Sequence, residues 1–335
     1  MTAPALVTPT VSSAARPAAR SARRASWIVG FLLRRAAMLV LVLVGVATLL
    51  FVLSRASGDP ALIFSPPAAT ADQLEQTRIR LGLDQPVLVQ YAQTIIGAFT
   101  LQFGDSFASR QDAWTLAVTR LVPSLALLVP GIAIGATVAF AVGIYAALRQ
   151  SKVRSRVLMS IVVIIDGIPY FLLALLLVLV FAVTLRVLPA TGSSGAESMV
   201  LPIAVLALSS VAALSRIVRG QMIDALGAES VLMARSKGVA PRTVLFGHAL
   251  PLALPPLISY IGIMFSFMFG SLLILEPIFN YNGLGSLLVR SVTSRDFTMV
   301  QACVFLIALI VTSVNILADL LVRILDPRLR SEVAL

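Results

Sequence analysis

The chain has 335 residues, of which 59% are hydrophobic and only 12% charged, and its mean hydropathy is +0.97. That balance excludes an ordinary soluble domain and places the chain in a bilayer. The formal charge of +11 therefore reads as basic residues anchoring the cytoplasmic ends of spans, with no nucleic-acid partner implied. The single cysteine, Cys303, and the single histidine, His248, leave no disulfide within the chain and no metal site, so redox chemistry has no support.

Residues 1–30 are rich in Ala, Pro, Ser and Arg and contain no acid, which predicts a disordered tail. The first apolar run, 36–54, is longer than a signal core and lacks a small-x-small cleavage pattern, so it reads as a retained anchor. An external segment, 55–120, follows. It is too long for a plain connector. Within it, Thr70 is a cap candidate for a helix over 71–81, and 85–99 has the composition of a second helix. Five further apolar stretches lie near 121–147, 157–185, 200–218, 249–275 and 299–324. Each is long enough to cross about 30 Å of hydrocarbon with roughly 20 helical residues. The expected fold is thus an all-α membrane protein with six transmembrane helices.

Charge orients it. With the N-terminus inside, the cytoplasmic side holds Arg16, Arg20, Arg23, Arg24, Arg34, Arg35, the group Arg149 to Arg156, Arg216, Arg219, Arg235, Lys237, Arg242, Arg323, Arg328 and Arg330. The outer side holds Asp59, Asp72, Glu75, Asp84, Asp105, Asp112, Glu197, Glu276 and Asp296. Positive-inside bias makes both termini cytoplasmic.

Between the fourth and fifth spans lies a basic, polar stretch, 219–248. Gln221 to Lys237 reads as a short helix whose last turn carries Arg235 and Lys237, matching the negative end of the helix dipole. Gly238 supplies a left-handed stop, and Pro241 opens the next helix.

In order along the chain stand GDPA at 58–61, LGLDQPVLVQY at 81–91, FGDS at 103–106, GIPYF at 167–171 and LPATG at 188–192. They are followed by RIVRGQM at 216–222, ARSKG at 234–238, HALP at 248–251, EPIF at 276–279, GLG at 283–285 and DPRLR at 326–330. Over roughly residues 31–330 the chain resembles the permease subunits of ABC importers for dipeptides, oligopeptides and nickel, specifically the subunit with the long first external loop. It departs from that pattern at Asn282, where a proline is usual, and at Gln102, where an acid is common. Asp166 stands where the family has a small or hydroxyl side chain, and Leu232-Met233 replace the motif's leading Glu-Ala.

The resemblance implies a type I importer permease domain over 31–330, flanked by tails at 1–30 and 331–335, in the bacterial inner membrane. It implies four kinds of partner: a second homologous permease subunit, two ATPase subunits, an extracytoplasmic substrate-binding protein and membrane lipid. ATP and Mg would sit on the ATPase subunits, because the chain has no GxxxxGK[ST] phosphate cradle. The 219–248 segment would dock on the ATPase through Leu232, Met233, Ala234, Arg235, Lys237 and Gly238. The substrate remains open between peptides, nickel and other small solutes.

Asp166, followed by Gly167 and Pro169, is the conspicuous charge in an apolar run. It costs roughly 2.5–3.5 kcal/mol at membrane depth on insertion scales, so it faces a cavity or a partner. One reading is a group on the substrate pathway, with Pro169, that meets a cationic solute; the other is an interhelical hydrogen bond. Glu276 is read as a gate or interface residue on the same pathway, and Asp319 as the partner of Arg323 one turn on. No nucleophile and base share an element, so no catalytic residue is assigned. A secondary transporter or an intramembrane enzyme pairing Asp166 with Asp319 are the rival classes.

Overall fold

The computed structural model describes residues 16–56, 61, 70–80, 83–192 and 195–325. Most of GDPA, all of DPRLR and the 331–335 tail lie outside them. The described chain consists of helices α1 (Arg16–Ala56), α2 (Ala71–Arg80), α3 (Val87–Phe99), α4 (Ala113–Leu148), α5 (Val153–Asp166) and α6 (Tyr170–Leu177, widening to a π-turn over Val178–Thr184). After these come α7 (Glu197–Gly227), α8 (Glu229–Ser236), α9 (Pro241–Ile278, with a π segment at Val244–Ala249), α10 (Leu284–Thr293) and α11 (Phe297–Leu325). Among the described residues five helices are long and apolar enough to cross a membrane, or six if α5 and α6 together make one bent span.

Two expectations need correction. The tail was expected to be disordered through residue 30, yet α1 begins at Arg16, because Ala and Arg are strong helix formers and nothing after Pro17 breaks the run. The third span was placed over 157–185, with Gly167 and Pro169 loosening the helix, but not as two helices. It is bent by 99° between α5 and α6. Pro169 has no N–H to donate back into α5 and restricts Ile168, so the helix stops at Asp166 and restarts with Pro169 as cap.

The core is built on α4 and α7. Gly131, Gly135, Ala139 and Gly143 recur every four residues along α4, a row of small side chains that lets two backbones approach. A Cβ on Gly135 would stand 2.3 Å from Ser210 Cβ, and one on Gly131 or Gly143 would stand 2.6 Å from Leu206 or Val218 on α7. Leu127, Leu128, Leu206, Leu214 and Met222 fill the rest of this contact, with Leu257, Phe269 and Leu272 of α9 behind them. Outward-facing Leu41, Val122 and Ile164 are exposed, as lipid-facing side chains require.

The shorter elements are tied down by hydrogen bonds, several of them from LGLDQPVLVQY, FGDS, LPATG and EPIF. Thr70 and Gln73 exchange hydrogen bonds at the start of α2, which satisfies two free donors reciprocally. Gln90 of α3 accepts from Arg55 of α1 and donates to Leu83 O and Gln85 O, while Tyr91 reaches Thr48 at 2.8 Å. Asp296, buried before α11, accepts from Ser106 Oγ at 2.6 Å and from the N–H groups of Ala108 and Met299. The Gly192 N–H donates to Phe279 O at 3.0 Å, joining LPATG to EPIF.

Candidate functional site: a broken span and a protruding helix

Asp166 ends α5 at the break. From Lys152 it lies about 20 Å along the helix at 1.5 Å per residue, well into the hydrocarbon thickness. Its Oδ2 is 2.6 Å from Nη2 of Arg216 on α7, which answers the carboxylate's desolvation with an opposite charge. Asp166 and Pro169 line a cavity of about 560 Å3, with Tyr170, Ser209 and Tyr260 as polar groups among Leu206, Met264, Phe267 and Met268. The two readings of Asp166 meet here, since it faces a cavity and has an interhelical partner. Arg216 was read from sequence only as a cytoplasmic charge. The signal was there, because it closes the apolar run 200–218.

Glu276 lies elsewhere. It is wholly buried, accepting from Ser124 Oγ of α4 and from the Ser286 N–H of α10 at 2.8 Å, and Gly283 packs against its carboxylate. It does not line the cavity beside Asp166. Of the two expected roles, gate or interface residue, its contacts are those of an interface residue: it fastens α4, α9 and α10 together. Asp319 pairs with Arg35 of α1, a partner from the far end of the chain, and the Arg323 guanidinium lies 4.5 Å over the Phe31 ring.

At the opposite end, α7 continues past Arg219 to Gly227, so the expected single helix over Gln221 to Lys237 is divided. Ala228 turns to extended backbone (ψ 142°), and α8 begins at Glu229. Val231 and Ala234 of α8 are buried, whereas Leu232 and Met233 are 48% and 60% exposed, which leaves two apolar side chains pointing away from the body. Arg235 and Lys237 end the helix, and Gly238 follows at φ +75°, where residues with a Cβ are strained. Pro241 opens α9 at its first turn. His248, in the π segment, places Nδ1 3.2 Å from Thr243 O.

The family model described as "Binding-protein-dependent transport system inner membrane component" matches residues 139–331, and "Binding-prot-dependent transport system membrane comp, N-term" matches 28–128. The chain belongs to this permease family. Over 308 residues the permease is 33% identical to a Brucella abortus (strain 2308) chain named "Putative peptide transport system permease protein", covering 89% of this chain and 98% of that one. It is 34% identical over 290 residues to the "Glutathione transport system permease protein GsiC" of Escherichia coli (strain K12), covering 87% and 94%. The inward-facing MetNI methionine ABC transporter shares its fold, with a TM-score of 0.52 at 20% identity over 63% of this chain and 96% of that one. The permease is a multi-pass inner-membrane subunit of an ABC importer.

Proposed function

We propose that this permease forms half of the translocation pathway of an ATP-driven, binding-protein-dependent peptide importer, with both termini and α8 on the cytoplasmic side. The peptide assignment follows the names of its relatives. The observation that carries the coupling role is α8, a separate helix that buries Val231 and Ala234 and presents Leu232 and Met233 outward. Such a helix fits a hydrophobic groove on a partner. Arg235 and Lys237 supply its polar rim, and Gly238 holds the turn that returns the chain to α9. The pathway role falls to Asp166 and Pro169. Two ATPase subunits holding ATP and Mg, a second homologous permease subunit and an extracytoplasmic binding protein complete the assembly. Hydrolysis belongs to the ATPases, so this chain is not itself an enzyme.

The test is Gly238→Val in the complete complex. A Cβ at Gly238 meets no atom within 4 Å, so the substitution strains the backbone, by about 1–2 kcal/mol, without a clash. Uptake of a peptide and the ATPase stimulation by its loaded binding protein are both expected to fall severalfold at equal membrane incorporation. Unchanged stimulation in an assembled Gly238→Val complex would remove α8 from the coupling route.

A further inference from the structure

The cleft between α5 and α7 holds an unusual charge arrangement for a membrane interior. Arg216 and Asp166 pair across it with side chains 48% and 27% exposed, and Asp166 lines the 560 Å3 cavity, so its partner Arg216 is held at that cavity's edge by the ion pair instead of being sealed in packing. Three residues along α7, on the same helix face, Arg219 has a buried Nε with no hydrogen-bond partner. With Ser155, Arg156 and Ser160 it lines a second cavity of about 470 Å3, walled by α5 and α7. A buried guanidinium N–H left unanswered carries a large desolvation penalty, and an anionic ligand group would remove it. The cleft therefore offers one carboxylate and, close by, cationic donors that the chain itself does not fully satisfy.

We propose that the Asp166–Arg216 pair is an exchangeable binding site for zwitterionic peptides, in which the ligand's α-ammonium takes Asp166 and its α-carboxylate takes Arg216. The inference rests on the peptide-importer reading above and adds the selectivity of the pathway itself. One internal ion pair is replaced by two external ones, and neither protein charge loses its partner. A ligand with only one of the two charges opens the pair and leaves the other charge unanswered, which selects against it. The geometry permits the exchange. The termini of an extended dipeptide lie roughly 7 Å apart at about 3.5 Å per residue, and the cavity is within the ordinary size of small-ligand sites. Tyr170, Ser209 and Tyr260 provide hydroxyls for the peptide bond. Arg219 gives the carboxylate of a longer peptide, or of one in transit, a second partner one turn nearer α8.

The experiment titrates a dipeptide, its N-acetylated form and its C-amidated form onto the purified complete permease–ATPase complex without the binding protein, whose own selectivity then does not enter. Wild type is expected to bind the free dipeptide about tenfold or more tighter than either blocked form, the scale set by one unpaired charge. Asp166→Asn should erase the advantage over the N-acetylated form, and Arg216→Gln the advantage over the C-amidated form. The double substitution strands no charge, so it preserves assembly if a single variant does not, and it should bind all three forms alike. Equal affinity of wild type for all three, or the same fractional loss for all three in every variant, would make the pair a structural clasp and overturn the site. Absence of dipeptide binding to wild type would overturn it as well. Binding-protein-dependent uptake by that same complex then shows separately whether the importer reading stands.

Discussion

Two neighbouring helix contacts in this molecule are built from equally apolar sequence and behave in opposite ways. Between α4 and α7 the small residues spaced every four positions bring backbones so close that a single added carbon at Gly135 would meet Ser210 Cβ at 2.3 Å and Ala207 O at 2.7 Å. Between α5/α6 and α7 the glycine and proline sit two positions apart, at Gly167 and Pro169, and the chain bends by 99° over an open cavity. Glycine repeated along one face closes a contact; glycine beside proline interrupts one. Hydrophobicity distinguishes neither, so spacing decides which part of the permease is frame and which part can yield.

The comparison breaks most sharply if the closed contact is forced apart. Gly135→Leu inserts a side chain where no space exists, and overpacking of this kind costs about 1–3 kcal/mol or more. The expected result is a steep loss of folded permease, read as the fraction surviving size-exclusion chromatography after mild heating. A well-assembled Gly135→Leu permease would show that the contact is looser than its geometry.

A smaller and more selective effect is expected at the break. Pro169→Ala restores a donor for the Ile165 carbonyl and removes the steric restriction on Ile168, which favours straightening α5 into α6. Assembly should be retained while peptide uptake at equal incorporation falls severalfold. Unchanged uptake would indicate that the bend is held by packing against α7 and α9 and not by the proline.

The smallest effect belongs to the outer end of α4. Asp112 caps this helix by accepting from the Thr115 N–H at 2.8 Å, and hydrogen bonding to Thr115 holds its carboxyl below the usual range. Asp112→Ala should cost about 1 kcal/mol or less at neutral pH, since the group is exposed. A carboxyl with lowered folded-state pKa stabilises above its unfolded pKa and ceases to do so as pH falls through the folded value. The stability difference between wild type and Asp112→Ala, measured by thermal unfolding in detergent, should therefore shrink in acid. A difference that grows in acid would contradict the assigned cap.

What could be read from the chain alone follows the range of each interaction. The helix stop at Gly238 and the start at Pro241 were legible, because both depend on the residue's own backbone preference. Spans were legible as lengths of apolar sequence, but the 99° bend was not, since a hydropathy count carries no direction. Asp319 was assigned to Arg323 because sequence favours a neighbour four residues on; its partner Arg35 comes from the far end of the chain. Asp296 was counted only as an outer charge, for nothing local announces a bond to Ser106, 190 positions away. Glu276 was read as a gate or interface residue from its position at a span end, and its burial against Ser124 and Ser286 depends on three helices meeting. The Gly131, Gly135, Ala139, Gly143 row was visible throughout and needed only a four-residue ruler.

Helix α7 runs from Glu197 to Gly227 without interruption, 31 residues or about 46 Å at 1.5 Å per residue, and a single residue, Ala228, separates it from α8. Mechanically that is a stiff rod with a short crank at one end. In the coupling role proposed for α8, a tilt of that helix would reach Arg216 and Arg219 through one rod, and α4, packed against α7 along its glycines, would swing with it. The bent pair α5 and α6, broken by 99° beside the cavity, would then be the wall past which that slab is displaced.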